Sequence, residues 1–219
     1  MAGDTIAGEA TNDVLAAMAT TRAVRRFRPD PVPRDTVEAL IWAATRAPSP
    51  ENDQPWEFVV VTDPAVRAQI GALVAAAADL HAASLPPTDD PGVRRTQEAA
   101  KHLVRNFGET PVMIFVCHHV VDYPPVYVEA GVGHSAVFMA AANLLVAARS
   151  YGLGAAFTFT HMLAGPPLRD VLGLPDGVAI AVTVPVGWPE RPVGPVARRP
   201  HREVLHWDRF GAPAEVSSG

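Results

Sequence analysis

Between Arg34 and Arg46 the apolar residues Val37, Leu40, Ile41 and Ala44 recur in steps of three and four, a spacing that lines up one face of a helix. The proline-rich stretch Pro29–Pro33 separates this helix from a shorter one over Asp13–Thr20. The tract Ala47–Pro55 is too rich in proline and polar residues for regular structure and reads as a loop. Trp56–Val61 is aromatic and β-branched and is closed by Thr62-Asp63-Pro64, which predicts a strand, a turn and a helix start. An alanine-rich helix follows over Val66–His81. The polar, proline-broken stretch Leu85–Gly92 reads either as a plain connector or as a lid over a site. A helix over Thr96–Phe107 and a buried strand over Pro111–His118 come next, and Val178–Val186 is the last clear strand, ending at Gly187-Trp188-Pro189. Pro192–Pro200 is extended. A loose arm (residues 1–13) and a frayed tail (212–219) then flank a single domain over residues 14–211.

The segment Gly133–Ser150 has a different pattern. Val137, Ala140, Ala141, Leu144, Leu145 and Ala148 follow helical spacing, yet the positions between them are also mostly apolar. A helix that is apolar all round must be covered on every side, and in a chain of this size a second subunit is the simplest cover. The uncharged run Ala130–Ala148 is about as long as a membrane span. Its glycine, serine, histidine, asparagine and alanine content makes it weakly apolar, so a helix buried in protein is expected and a membrane span is not.

Composition narrows the classes. With 219 residues and 48% apolar residues, the chain can bury a real core. Eighteen basic against 23 acidic side chains leave a net charge of −5, so bulk charge attracts neither nucleic acid nor an anionic membrane. Cys117 is the only cysteine, which excludes an internal disulfide or a cysteine zinc cluster and fits a reducing compartment, with the cytoplasm as the expected location. The N-terminus lacks a basic segment followed by an apolar one, so no secretory signal is expected. Basic charge is nearly all arginine, and it clusters at Arg22, Arg25, Arg26 and Arg28 and again at Arg198, Arg199 and Arg202.

Several familiar chemistries are disfavoured. Gly131-Val132-Gly133 lacks an acidic residue about twenty positions on, and Gly152-Leu153-Gly154 follows a helix rather than a strand, so neither suits a dinucleotide fold. His118 and His119 are adjacent in a strand and point to opposite faces. Glu98 and His102 share a helix face but have no third ligand nearby in sequence, so no metal site is expected. Cys117 lies in an apolar strand and reads as a packed thiol.

An ordered set of blocks is more informative. Thr21-Arg22-Ala23-Val24-Arg25-Arg26-Phe27, Pro31-Val32-Pro33, Ala47-Pro48-Ser49 with Asn52, and Gln54-Pro55-Trp56 occur in the N-terminal half. Asn143-Leu144-Leu145, Gly152-Leu153-Gly154, Leu172-Gly173-Leu174-Pro175, Val186-Gly187-Trp188-Pro189 and His206-Trp207-Asp208-Arg209-Phe210-Gly211 follow in the C-terminal half. In this order the set resembles the FMN-dependent nitroreductase family across residues 20–211.

The resemblance implies an α+β fold with a mainly antiparallel central sheet flanked by helices, assembled as an intertwined homodimer with FMN at the subunit interface. It further implies hydride transfer from NAD(P)H through flavin N5 to a small organic acceptor of the nitroaromatic or quinone type, in ping-pong fashion, with no catalytic side chain required. A specialised flavin-dependent dehydrogenase or oxidase, or an FMN-sequestering protein without turnover, is the alternative.

By the same resemblance, Arg22, Ala23, Arg25 and Arg26 with Arg198 and Arg199 fall at phosphate and flavin positions, in keeping with the way guanidinium groups grip phosphate. Pro48, Ser49 and Asn52 reach the flavin of the other subunit. The backbone of Thr158, Phe159 and Thr160 lies against the isoalloxazine and offers an N–H to N5. Ser135 stands next to Ala136, which occupies a position where some members carry a flavin-contacting glutamine. Thr21 and Ala23 depart from the usual arginine and serine of the first block, and Pro50-Glu51 replaces a small pair, placing a carboxylate beside the flavin edge.

Overall fold

The computed structural model describes residues 13–119 and 132–211. The expected arm before Asp13, Gly131 of the first glycine pattern and the tail beyond Gly211 lie outside them. Helix α1 (Asp13–Thr20) is followed by an extended segment and by α2 (Arg34–Ala44), which buries Val37, Leu40 and Ala44 as their spacing predicts. Then come β1 (Trp56–Val61), α3 (Pro64–Ala76), α4 (Ala78–Ser84), α5 (Pro91–Arg105) and β2 (Val112–His119). Helix α6 (Val132–Ser150), β3 (Gly154–Ala155), α7 (His161–Ala164), α8 (Pro167–Leu172) and β4 (Val178–Gly187) complete the order.

The strands form one antiparallel sheet in the order β1-β2-β4-β3, flanked by helices, so the fold is α+β. Both faces are covered, which explains why β2 is an unbroken apolar run rather than an alternating one. Val112, Ile114 and Val116 join a core with Leu40 of α2 and Val137 and Leu144 of α6. Met113, Phe115 and Cys117 point the other way, into a core with Ile70 and Val74 of α3, Leu103 of α5 and Leu168 of α8. The register slips once. Val116 pairs with Val182 but Cys117 pairs with Ile180, so Ala181 is an extra residue in β4 and shares a core with its neighbour Val182.

Three element boundaries differ from the expectations. The single helix over 66–81 is two helices meeting at Ala77, whose φ of −98° and ψ of 9° leave the helical range. The first of them starts earlier, at Pro64, because Asp63 accepts hydrogen bonds from the Ala65 and Val66 N–H groups. The helix expected from Thr96 starts at Pro91, so the loop before it ends at Asp90. The Asp90 carboxylate caps the Gly92 and Val93 N–H groups, and Pro91 occupies a first-turn position where its missing N–H costs nothing.

In α6, Ala136, Val137, Ala140, Ala141, Leu144 and Ala148 are buried within the chain, whereas Met139 and Ala142 are exposed. Trp42 on α2 is also exposed, at 64%. No helix among the described residues is long and apolar enough to cross a membrane.

Candidate functional site

The arginine-bearing segment after α1 is extended and hydrogen-bonded along the edge of the sheet. Ala23 bridges to Ala155 in parallel, and the Val24 N–H donates to the Ala155 carbonyl at 2.9 Å. Phe27 bridges to Pro189, the Arg28 N–H donates to the Trp188 carbonyl at 2.8 Å, and the Glu190 N–H donates to the Arg26 carbonyl at 3.3 Å. One backbone zipper therefore ties residues 23–28 to β3 and to the stretch that leaves β4. Close approach at this edge depends on Gly154, since a Cβ there would lie 2.7 Å from Cβ of Val24.

A cleft of about 490 Å³ opens along this zipper. Arg22, Arg25, Arg26 and Arg191 line it, together with Ala23, Glu190 and Ala99 of α5. Arg25 is half-buried and has no ion-pair or hydrogen-bond partner among the described residues. Burial first, and then the positive charge of Arg22, push its guanidinium pKa down from the ordinary value. Arg26 donates from Nη1 to Nε2 of His102 at 3.3 Å, which requires a lone pair on that ring nitrogen. Thr21, which stands where the family pattern has arginine, donates its hydroxyl to the Ala17 carbonyl at 2.8 Å and closes the end of α1.

Arg198 and Arg199 are exposed and lie outside the lining of this cleft; Arg191 is the arginine that the stretch leaving β4 brings to it. Sequence reading passed over Arg191 because it stands alone between Glu190 and Pro192. Its position just after Trp188-Pro189, the block that pairs with the first arginine segment, was the available signal.

Pro48, Ser49 and Asn52 lie between α2 and β1, and none of them lines the arginine cleft. Pro48 and Asn52 are exposed, and Ser49 Oγ accepts the Gln54 N–H at 3.0 Å. Three residues of this loop, Glu51, Asn52 and Gln54, have positive φ values of 51°, 58° and 50°. Each costs on the order of 1–2 kcal/mol for a side chain other than glycine, a strain that tends to persist at functional sites. The Glu51 side chain is exposed.

The stretch from Thr158 to His161 crosses the sheet beside β4. Thr158 exchanges both backbone hydrogen bonds with Thr183, at 3.0 and 2.9 Å, and its hydroxyl adds a third to the Thr183 carbonyl at 2.9 Å. The hydroxyls of Thr158 and Thr160 are 3.0 Å apart. Phe159 is 48% exposed, and its ring sits between those of Phe157 and His161. The Phe159 and Thr160 N–H groups have no acceptor among the described residues. Ser135 on α6 is half-buried, and Ala136 beside it is buried.

The other titratable side chains that the sequence brought forward lie elsewhere. His119 pairs with Glu57 at 3.2 Å, while the buried His118 ring packs on His134 with centroids 4.8 Å apart. Lys101 pairs with Glu98 at 2.8 Å. Burial pushes the Cys117 thiol up to about 11, so the thiolate is not populated at neutral pH. Among the described residues no group of three or more potential ligands could hold a metal ion.

Burial lowers the His161 pKa from its ordinary 6.5 to about 4. The unfolded chain therefore takes up a proton near pH 6.5 that the folded chain refuses until about pH 4, and folding stability falls as pH drops through that window. His161→Asn removes this contribution. Denaturant midpoints measured from pH 6.5 to 4 should fall less steeply in the variant, and identical slopes would show that His161 is solvated.

An antiparallel sheet between two helical layers, with an arginine-lined cleft at one edge and a strained loop elsewhere on the chain, defines an α+β domain. The model of the nitroreductase family matches residues 18–188, and the chain belongs to that family. A protein of Thermus thermophilus described as an NADH dehydrogenase is 32% identical, over 91% of this chain and 99% of its own length. A 5,6-dimethylbenzimidazole synthase of Rhodospirillum rubrum is 31% identical, over 82% of this chain and 87% of its own. The crystal structure of oxidised iodotyrosine deiodinase bound to FMN and 3-iodo-L-tyrosine superposes with a TM-score of 0.69 at 22% identity, covering 90% of this chain and all of that one.

Proposed function

We propose that the chain is an FMN-dependent oxidoreductase that takes a hydride from NAD(P)H and delivers the electrons to a small organic acceptor of the nitroaromatic or quinone type. The observation that carries this reading is Arg25, a half-buried cation without a counter-ion among the described residues, in a cleft that it shares with Arg22, Arg26 and Arg191. A half-buried guanidinium without a carboxylate is costly unless an anion completes the site, and the terminal phosphate of FMN is such an anion. The cleft volume lies in the usual range for a small-molecule site, roughly 300–1,000 Å³.

Arg22, Arg25, Arg26 and Arg191 hold the phosphate end. The N–H groups of Phe159 and Thr160, which have no acceptor among the described residues, serve the isoalloxazine. FMN supplies the two-electron chemistry when bound; the protein positions it and excludes water. Pro48, Ser49 and Asn52 complete the site of a second copy, in keeping with their absence from the lining of the arginine cleft in their own chain. The exposed Trp42 and Met139 are the apolar surface that such a homodimer buries.

The purified protein is expected to be yellow and to sediment at twice the chain mass of 23.2 kDa, because an obligate interface of roughly 2,000 Å² or more leaves few monomers at micromolar concentration. Heat should release a ligand with the mass of FMN, and the loaded protein should oxidise NADPH or NADH in the presence of a quinone. Recovery of FAD or of no flavin overturns the cofactor assignment. A flavin-loaded monomer overturns the shared site, and a loaded dimer that oxidises neither nucleotide overturns the reaction.

A further inference from the structure

His161 is the one strongly perturbed histidine of the described chain, and it sits beside the backbone assigned to the flavin. Its Nδ1 lies 3.0 Å from Oγ1 of Thr183, a residue with no exposed surface. Thr183 faces α7 from β4 and is also the residue to which Thr158 is bound three times over. Thr158 in turn reaches Thr160 through its hydroxyl. The His161 ring stands edge-on to that of Phe159, at a centroid distance of 6.1 Å.

These contacts close a ring of short links. Residues 158 and 161 are both fastened to Thr183, one by its backbone and one by its side chain, and Phe159 and Thr160 span the gap between the two fastenings. Among the described residues the N–H groups of those two spanning residues find no acceptor. With both ends fastened, the loop between has little freedom to turn its N–H groups away. If only the Thr158 end were fixed, the Phe159 and Thr160 peptides could rotate as any short loop does. Among the described residues the Thr183 hydroxyl gives the one side-chain hydrogen bond between β4 and the start of α7, and an apolar residue at 161 would leave that hydroxyl buried without its partner.

We infer that His161 is a positioning residue: held by the Thr183 hydroxyl, it fixes the 158–160 backbone so that the Phe159 and Thr160 N–H groups face the flavin. It touches neither flavin nor acceptor. The inference rests on the proposed FMN site for its consequence, but the fastening itself can be read without flavin. Oxidised flavin carries a lone pair on N5 and accepts a hydrogen bond there, whereas the reduced form carries a hydrogen and does not. A fixed N–H at that point therefore favours the oxidised form, and loosening it makes the bound flavin easier to reduce.

The test compares wild type with His161→Leu, which removes the hydrogen bond at similar bulk, and His161→Asn, which keeps a polar atom near the Nδ1 position. Thr183→Val removes the other partner within a strand that already favours valine, and so guards against a fold lost through the Leu substitution. In the flavin-free protein, amide exchange at Thr158, whose N–H donates to the Thr183 carbonyl, should quicken about fivefold in His161→Leu and in Thr183→Val, as expected for one lost hydrogen bond, and stay near wild type in His161→Asn. In the loaded protein the same two variants should hold oxidised FMN about fivefold less tightly and reduced FMN as before, so that the reduction potential rises. Lower melting temperatures with unchanged exchange and an unchanged ratio of the two affinities would reduce His161 to a packing residue and overturn the inference. Quickened exchange in the two variants, together with a wild-type protein that binds no flavin, would instead sink the cofactor reading while leaving the fastening in place.

Discussion

Arg25→Ala is expected to weaken FMN binding by about 1.5–3 kcal/mol, roughly tenfold to a hundredfold, the range for a hydrogen bond to a charged group. Arg25 is the most buried of the cleft arginines: it is half-buried where Arg22, Arg26 and Arg191 are exposed, it lies near Arg22, and no carboxylate pairs with it among the described residues. Removing a cation in that setting relieves a cost in the empty protein. The melting temperature of flavin-free Arg25→Ala should therefore equal or exceed that of wild type, even as flavin affinity falls. This opposition separates ligand recognition from structural support, which would lower both. Arg28→Ala is the control. Arg28 lies outside the cleft lining, pairs with Asp30 at 3.3 Å and rests over the Trp188 ring at 5.9 Å, all on the exposed surface, so its loss should change flavin affinity little. Equal dissociation constants for Arg25→Ala and wild type, by titration of the flavin-free protein at fixed ionic strength, would remove Arg25 from the site.

The elements that read correctly from sequence are those whose determinants are local. Val37, Leu40 and Ala44 repeat at helical spacing because one face of α2 is covered, and Val112–Cys117 is continuously apolar because both faces of β2 are covered. The errors fall where local signals are silent or ambiguous. Nothing in Ala75-Ala76-Ala77-Ala78 marks a break, since alanine suits a helix, yet the chain turns there between α3 and α4. Asp90-Pro91 reads as loop by composition, but the same pair is a helix cap when the next residues are helical. The extra Ala181 in β4 leaves no trace in a run of small and β-branched residues.

The site was legible in pieces rather than as a whole. The first arginine block stood out through its resemblance to a family, whereas burial and isolation of Arg25 depend on residues 189–194 folding back across residues 22–26. That return path, made far along the chain, decides that Arg191 joins the cleft. His161 was invisible for the same reason: its partner Thr183 is 22 residues away on another element.

Gly154→Ala tests the joint between fold and site most directly. The backbone of Gly154 does not adopt a positive φ, so alanine meets no conformational bar there, and in the unfolded chain the substitution by itself favours folding by about 0.4–1 kcal/mol. Space decides the sign. The new Cβ would lie 2.7 Å from both Cβ and Cγ1 of Val24, and a Cβ is fixed to the backbone rather than being the far end of a flexible side chain. The segment carrying Val24 must therefore move off the sheet, straining the Val24 N–H to Ala155 bond at 2.9 Å and the Ala23 bridge beside it. Overpacking of this kind costs about 1–3 kcal/mol, which exceeds the entropic gain. Arg25 follows Val24 directly and Arg22 precedes it by two residues, so the same displacement should also cost flavin affinity, unlike an ordinary core defect that lowers stability alone. Val24→Ala added to Gly154→Ala removes the two Cγ atoms but leaves Cβ in place, so it should restore both properties only in part, with a clear coupling between the two positions. A denaturant midpoint and a flavin affinity both unchanged in Gly154→Ala would mean that the arginine segment is not held against β3 by this contact.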